Sequence, residues 1–286
     1  MMAMRMLLLA AWLVGTSLMP VHAQTDATPA REYRVLLVGN SLTYTNNLPA
    51  LLRAVGASQG TPIATESFAA PGGALIERWN DGHVAEALRS RGFDAVVLQE
   101  QGGNLAACMA SVQQQRKAPC AASLRAYTEF AQLATAKGAK VLVFATWGPD
   151  ERWQGKLARS ARMIAESASA TVFDAAGALQ ALHKAQPGIN LFPDGNHPST
   201  QASLMLALAL YRDITGSAPV AKDLRVTAPL LPVNAAVSPA SAMESQPGLA
   251  GDGKAVVVPA SLVEPLVQAL PGPGSSSEMD PAGRRR

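Results

Sequence analysis

The sequence predicts an α/β protein with three layers, in which helices cover both faces of a five-stranded parallel sheet. Five short runs rich in apolar and β-branched residues alternate with stretches of helical periodicity between residues 33 and 215. Such alternation is typical of a parallel sheet, because each return to a parallel strand needs a helical crossover. A hydrophobic content of 48% also supplies enough apolar side chains to bury such a sheet.

The predicted elements follow one another in alternating order along the chain. The strands are residues 33–39, 61–68, 95–99, 141–146 and 171–173. The helices are residues 48–59, 74–91, 123–137, 154–169, 175–185 and 199–215.

Length and composition indicate one folded domain with extensions. A chain of 286 residues, 16% of them charged, is long enough for one domain of about 200 residues, which we assign to residues 33–218 after a linker at 24–32. From Pro219 onward Ala, Pro, Ser and Gly dominate, so a partly disordered extension is predicted over residues 219–286. Within this extension, residues 256–270 are apolar enough for a short strand and helix.

The first 23 residues have the pattern of a secretory signal peptide. A charged start that ends at Arg5 precedes an apolar run, and small residues around Ala23 match a cleavage site. The alternative, an uncleaved anchor helix, needs about 20 consecutive apolar residues, whereas Gly15 and Pro20 interrupt this run. We therefore expect cleavage after Ala23, a periplasmic or secreted protein, and no stable membrane anchor afterwards.

Charge and cysteine content exclude several classes of partner. The net charge of +3 is mild, and the basic residues are scattered apart from the terminal arginines, so no nucleic-acid surface is predicted. Cys108 and Cys120 are expected to form a disulfide in an oxidising compartment, the alternative being two free thiols. The cysteines and the histidines of the mature chain show no ligand spacing, so we expect no metal and no cofactor.

Ser41 follows an apolar strand and a glycine at a turn into a helix, where α/β hydrolytic enzymes carry a nucleophile. A serine needs an imidazole to accept its proton and a carboxylate to fix the imidazole tautomer, and Asp194 and His197 supply both groups on one short loop. The alternatives are a helix-capping serine at position 41 and an ordinary turn before a helix that starts with Pro198. The other histidines are better explained as surface or capping residues, since His83 follows an Asp-Gly turn and His183 lies inside a helical pattern.

Chemically interesting residues follow four of the predicted strands. Ser41 comes after the first, Gly72 and Gly73 after the second, the segment 99–101 after the third, and Trp147 after the fourth. Functional groups gather at the carboxyl ends of parallel strands, so these segments are expected on one edge of the sheet. Trp147 is a candidate for substrate contact because binding pockets favour aromatic walls, although a place in the core is equally consistent with its sequence.

The segment Gly39-Asn40-Ser41-Leu42-Thr43 resembles the first conserved block of the SGNH, or GDSL-type, hydrolase superfamily. Asp194-x-x-His197-Pro198 is similar to its last block, and the resemblance spans residues 34–215. It implies a flavodoxin-like three-layer fold and a metal-independent esterase that forms an acyl-enzyme. Ser41 would attack the ester carbonyl, His197 would transfer the proton, and Asp194 would orient His197.

The resemblance also implies an oxyanion hole with three donors. The first two would be the backbone N–H groups of Ser41 and Gly73, with Gly73 preferred over Gly72. The superfamily's third donor is an asparagine, which this chain lacks in register. Gln101 falls at its place and carries the same amide donors on a longer arm, while Gln99 and Asn104 remain alternatives.

These observations predict an exported carboxylic-ester hydrolase acting on a small ester or an acylated glycan, with a carbohydrate O-acetylesterase as one form of the hypothesis. A lipid-directed esterase or lysophospholipase is an alternative within the same class. A non-catalytic glycan-binding protein on the same fold is the alternative from another class, because fold alone does not establish function. The sequence does not define the oligomeric state.

Overall fold

The structure is a computed structural model that describes residues 31–108 and 112–272. The predicted signal peptide at 1–23, most of the predicted linker, and residues 273–286 lie outside the described residues. No helix in the described part of the chain combines the length and hydropathy that crossing a bilayer requires.

The core of the fold is a five-stranded sheet whose strands are all parallel, in the order β2-β1-β3-β4-β5. The strands are β1 Tyr33–Gly39, β2 Ile63–Ala69, β3 Ala95–Leu98, β4 Lys140–Phe144 and β5 Thr171–Phe173. The predicted α/β fold is therefore confirmed. The strand order reverses direction beside β1, and at such a switch point the loops diverge and leave a crevice at the carboxyl ends of the strands.

Helices connect the strands and cover both faces of the sheet. They are α1 Ser41–Tyr44, α2 Leu48–Gln59, α3 Leu75–Asn80, α4 His83–Ser90, α5 Gly102–Ala107, α6 Val112–Gln115, α7 Ala118–Thr135, α8 Glu151–Ser167, α9 Ala175–Ala185, α10 Thr200–Thr215 and α11 Ala260–Ala269. The helix predicted over residues 74–91 is in fact α3 and α4. Gly82 separates them with a left-handed backbone, φ 78°, which glycine adopts without steric cost.

Side chains that alternate along β1 enter two separate hydrophobic cores. Val35 and Leu37 pack with α2, α9 and α10 on one face of the sheet. Leu36 and Val38 pack on the other face with α3, α4, α7 and α8. Successive residues of a strand point to opposite faces, so a strand covered on both sides is apolar throughout.

Parts of residues 219–272 pack onto the domain, including a short strand and a helix in the region predicted for them, residues 256–270. Two short strands, β6 Leu224–Val226 and β7 Val256–Val258, form an antiparallel pair, and α11 packs against α9 and α10. Between the strands, residues 229–250 form a segment that we call the C-terminal strap. Its apolar side chains are buried with Tyr44 and Ala69; they are Leu231, Val237, Met243 and Leu249.

One carboxylate of the strap forms hydrogen bonds with the edge strand β2. Glu244 accepts hydrogen bonds from the backbone N–H and the hydroxyl of Ser67, both at 2.8 Å, and from the hydroxyl of Thr65 at 2.7 Å. It also accepts from Arg53 at 3.3 Å. The Ser67 N–H would otherwise remain unpaired at the sheet edge, so Glu244 satisfies a backbone donor that no neighbouring strand reaches.

Cys108 and Cys120 form the predicted disulfide, with their Cα atoms 4.9 Å apart. The bond joins the residue that directly follows α5 to the first turn of α7, and both cysteines are fully buried. It therefore fixes the helix that follows β3 against the helix that precedes β4.

We expect the substitution Glu244→Gln to lower the free energy of unfolding by about 1–3 kcal/mol, because an amide cannot accept all the hydrogen bonds that the carboxylate accepts. Urea unfolding of the purified protein measures this loss. Glu32→Gln, at an exposed position before β1, is the matched control and should leave stability unchanged. Equal stabilities for all three proteins would contradict the role of Glu244.

Candidate active site

Ser41 is the first residue of α1 and lies at the carboxyl end of β1, after a turn formed by Gly39 and Asn40. The turn is too crowded for any other residue at position 39. A Cβ atom there would lie 2.3 Å from Thr43 Oγ1 and 2.5 Å from Gln99 Oε1. The glycine therefore lets the Thr43 and Gln99 side chains approach the backbone directly before the serine.

Ser41, His197 and Asp194 lie in one hydrogen-bonded chain. Ser41 Oγ is 2.9 Å from His197 Nε2, and His197 Nδ1 is 2.7 Å from Asp194 Oδ2. This arrangement leaves Nε2 as the ring atom able to accept the serine proton, because the carboxylate binds a proton on Nδ1. Neither His83 nor His183 hydrogen-bonds to Ser41 within the described residues.

The carboxylate of Asp194 remains ionised well into the acid range. Backbone N–H groups of His197 and Asn196 donate to Asp194 Oδ1 at 2.8 and 3.0 Å, and the imidazole donates to Oδ2. These bonds, with the His197 N–H the largest contributor, lower the pKa of Asp194 to about 2. Its side chain is 48% exposed, so hydrogen bonding and not burial sets its ionisation.

The loop that carries Asp194 and His197 is closed at its base and supported from the side. The N–H of Ser199 donates to the carbonyl of Leu191 at 2.8 Å. Trp147 Nε1 donates to the carbonyl of Asn196 at 2.8 Å, and its ring contacts Phe192 in a tilted arrangement with centroids 5.2 Å apart. The predicted substrate contact of Trp147 stays a prediction. Its indole N–H and its ring contact with Phe192 support the loop that carries Asp194 and His197.

Two of the predicted oxyanion donors differ in their present bonding. Ser41 begins α1, and its N–H has no acceptor among the described residues. The N–H of Gly73 donates to the carbonyl of Ala70 at 3.1 Å, across a turn in which Gly72 has φ 61°. The N–H of Gly72 has no acceptor in the described part of the chain. The Gly73 N–H stays a predicted oxyanion donor. A substrate oxygen would have to share this N–H with the Ala70 carbonyl or replace that carbonyl as its acceptor.

The three candidates for the third donor are also bonded differently. Gln99 is buried and fully engaged, since its Oε1 accepts from Asn40 N at 2.8 Å and its Nε2 donates to the Glu100 carbonyl at 2.8 Å. Asn104 Nδ2 lies 3.5 Å from Glu100 Oε1, a long contact. The side chain of Gln101 is exposed and has no hydrogen-bond partner among the described residues. Its amide is therefore the one that is free to donate to a substrate.

Asn40 joins the loops that follow β1, β2 and β3. Its N–H donates to Gln99 Oε1, its Nδ2 donates to the carbonyl of Gly73 at 3.1 Å, and its Oδ1 accepts from Leu42 N at 3.1 Å. An aspartate at this position would have no donor for the Gly73 carbonyl. The asparagine thus connects the nucleophile turn to the glycine loop directly.

Glu100 is a fully buried carboxyl group beneath the same loops, and sequence reasoning assigned it no role. It accepts from Gln101 N at 2.7 Å, from Leu75 N at 3.3 Å and from Ser123 Oγ at 2.7 Å. Burial raises the pKa of Glu100, and the hydrogen bonds from Ser123 and the backbone oppose that rise. The sequence did contain one indication of this role. Glu100 directly follows a predicted apolar strand, where a charged side chain is rarely buried without hydrogen-bonding partners.

No protein-family model matches the sequence, and no curated protein is significantly similar to it. Solved structures that resemble it include TesA, with 20% identity and a TM-score of 0.47 over 64% of this chain and 98% of that one. Axe2, an acetylxylan esterase from Geobacillus stearothermophilus, has 14% identity and a TM-score of 0.48 over 65% of this chain and 96% of that one. LAE5, an alpha/beta hydrolase from the metagenome of Lake Arreo, Spain, has 15% identity and a TM-score of 0.47 over the same shares. At these values the likeness identifies neither a reaction nor a substrate.

The low pKa of Asp194 predicts a pH-dependent contribution to stability. Because the folded-state pKa lies near 2 and the unfolded value near 3.8, the stabilisation is present above pH 3.8 and is lost as the pH falls toward 2. We expect Asp194→Asn to be less stable than the wild type at neutral pH, with the difference narrowing across this acid range. Urea unfolding at a series of pH values measures it, and a difference independent of pH would contradict the assignment.

If Gln101 is the predicted third oxyanion donor of an esterase, Gln101→Ala should lower kcat for ester hydrolysis by about 10²–10³-fold, the usual loss when one such donor is removed. KM should change far less, because the oxyanion forms only as the reaction proceeds. Asn104→Ala is the matched comparison and should lose much less activity. If the two variants exchange these effects, Asn104 is the donor.

Proposed function

We propose that this chain is an exported serine esterase of the SGNH, or GDSL-type, superfamily that hydrolyses carboxylic esters through an acyl-enzyme on Ser41. The observation that carries the proposal is the hydrogen-bonded chain of Ser41, His197 and Asp194, with lengths of 2.9 and 2.7 Å. Its position at the switch point of a parallel sheet agrees with the usual place of such a site.

In the first half of the proposed reaction, Ser41 Oγ attacks the ester carbonyl while its proton passes to His197 Nε2. The carbonyl oxygen becomes an oxyanion, which the N–H of Ser41, a glycine N–H of the 72–73 turn and the Gln101 amide stabilise. As the tetrahedral intermediate collapses, the bond to the alkoxy group breaks and His197 returns the proton to the departing alcohol. Asp194 stabilises the imidazolium in between.

In the second half, a water molecule replaces the alcohol. His197 Nε2 accepts a proton from the water as its oxygen attacks the acyl carbonyl, and the same donors stabilise the second oxyanion. Collapse breaks the bond to Ser41 Oγ, the serine regains the proton, and the carboxylic acid leaves. The proton balance is closed without any group beyond the triad and water.

The acyl group that we propose is short, with acetyl on a polysaccharide as the substrate class. Asp194 is 48% exposed and His197 is 16% exposed, so the site opens to solvent on the Asp194 side. An open site lets a bulky alcohol portion approach, whereas a long acyl chain needs an enclosed apolar pocket. Export is supported by the signal-peptide pattern and by the Cys108–Cys120 disulfide.

A glycan-binding protein without catalysis is the second candidate. One observation favours it: the Gly73 N–H is already bonded to the Ala70 carbonyl, so the predicted donor set is incomplete in the absence of substrate. A lipid-directed esterase remains the alternative within the enzyme class, and acyl chain length distinguishes it.

Hydrolysis of p-nitrophenyl esters, from acetate to long acyl chains, tests these candidates with the mature chain from Gln24. We expect turnover that is highest for acetate and that Ser41→Ala reduces by several orders of magnitude, as when a triad serine is removed. A fluorophosphonate should label the wild type and leave Ser41→Ala unlabelled. Unlabelled wild-type protein that binds acetylated glycan would support the binding protein, and a preference for long chains would support the lipid esterase.

A further inference from the structure

Two consecutive asparagines link α1 to α2 and share an unusual backbone. Asn46 and Asn47 lie in a short 3₁₀ turn and have φ values of 56° and 54°, in the left-handed region. Asparagine adopts this region more readily than other residues with a side chain, because its short amide can hydrogen-bond locally. Both residues therefore lie in the left-handed region, with ψ values of 13° and 57°, but their side chains have different partners.

Asn46 connects the serine segment to the segment that carries the base. Its Nδ2 donates to the carbonyl of Pro198 at 2.7 Å and to Ser203 Oγ at 3.1 Å. Its Oδ1 accepts from the hydroxyl of Thr200 at 3.2 Å. Pro198 directly follows His197 in the chain, so this one amide holds the backbone beside the base and the first turn of α10.

The C-terminal strap holds the same turn from the opposite side. The N–H of Asn46 donates to the carbonyl of Leu231 at 2.8 Å. The hydroxyl of Tyr44 donates to the carbonyl of Val233 at 2.7 Å, and Asn47 Nδ2 donates to the carbonyl of Pro229 at 2.9 Å. Alternate carbonyls of the strap thus accept hydrogen bonds from the turn, which fixes the backbone from which the Asn46 side chain extends.

We propose that Asn46 is a positioning residue that sets the distance between Ser41 Oγ and His197 Nε2, and that the strap holds Asn46 in place. The inference rests on the proposed esterase function. Asn46 contacts no reacting atom and acts through the Pro198 carbonyl and the start of α10. Proton transfer from the serine requires the 2.9 Å contact, and a displacement of about 1 Å at a catalytic group commonly costs about 10²-fold in rate.

The amide at position 46 is matched to both kinds of partner. The Pro198 carbonyl needs a donor, whereas the Thr200 hydroxyl donates and needs an acceptor. An aspartate carboxylate would place an acceptor oxygen against the Pro198 carbonyl, which is itself an acceptor. Glycine would keep the left-handed backbone and remove the side-chain link. Asn46→Gly therefore isolates the side-chain contacts from the backbone conformation.

The test compares Asn46→Gly with Asn47→Gly, which keeps the same backbone preference and removes contacts to the strap and to α2 only. We expect Asn46→Gly to lower kcat by about 10- to 100-fold with little change in KM, because positioning acts on the chemical step. The rate of labelling by a fluorophosphonate should fall in the same ratio, since it needs the same proton transfer. Asn47→Gly should lose much less kcat and labelling, because the bonds from the Asn46 N–H to Leu231 and from Tyr44 to Val233 still hold the turn.

Two outcomes would overturn the inference: a folded Asn46→Gly protein with wild-type kcat and labelling, or equal losses in the two glycine variants. If Asn46→Gly fails to fold, Asn46→Asp replaces it in the test. We expect its loss of kcat to be at least as large, and a wild-type kcat would again contradict the proposal. A crystal structure of the variant separates this inference from the esterase proposal. A Ser41–His197 distance beyond hydrogen-bond reach supports positioning even in a protein that hydrolyses no ester, and a retained 2.9 Å contact refutes it.

Discussion

The hydrogen bond between Ser41 and His197 joins two segments that lie 156 residues apart in the chain. The polar groups around the site hold either the segment that carries Ser41 or the segment that carries His197. Chain entropy opposes such a contact, so packing has to bring the segments together first. β1 and α10 do this by sharing one hydrophobic core, in which α10 packs directly against α2. Packing brings the backbones near each other, and the hydrogen bond from Asn46 to the Pro198 carbonyl links the two segments beside His197.

A buried polar network connects the loops on the serine side. Asn40 bonds to the Gln99 side chain and to the Gly73 carbonyl, and Glu100 bonds to the N–H groups of Gln101 and Leu75. Each member has its partners, which is the condition under which a buried network rigidifies a structure and does not weaken it. Because the same groups reach the loops after β1, β2 and β3, the serine and the proposed oxyanion donors form one mechanical unit. Through Ser123, that unit also reaches the helix held by the Cys108–Cys120 disulfide.

The periodic parts of the fold were predictable because they depend on local patterns. Apolar runs gave all five strands, and the sheet then required the segments after them to meet at one edge. Ser41, Asp194 and His197 were predictable as candidates, since each stands in a short motif. The partners of Asn46, Gln99 and Glu100 were not, because an amide or carboxyl in a loop indicates hydrogen bonding without indicating with what. The strap was not predicted either: its apolar residues are irregularly spaced among proline, alanine and serine, so no periodicity distinguishes a docked segment from a linker.

The exposure of Asp194 follows from how its carboxylate is held. A buried acid would orient His197 equally well, but desolvation would raise its pKa and favour the neutral form. Here the N–H groups of His197 and Asn196 stabilise the charge within a loop only a few residues long, and the pKa falls to about 2. The acid therefore stays ionised wherever an imidazole can act as a base. An exposed loop would ordinarily be mobile, however, and the bonds from Trp147 to the Asn196 carbonyl and from Asn46 to the Pro198 carbonyl restrain it on both sides of His197. Local hydrogen bonds thus set the charge of Asp194, and long-range ones restrain the position of His197.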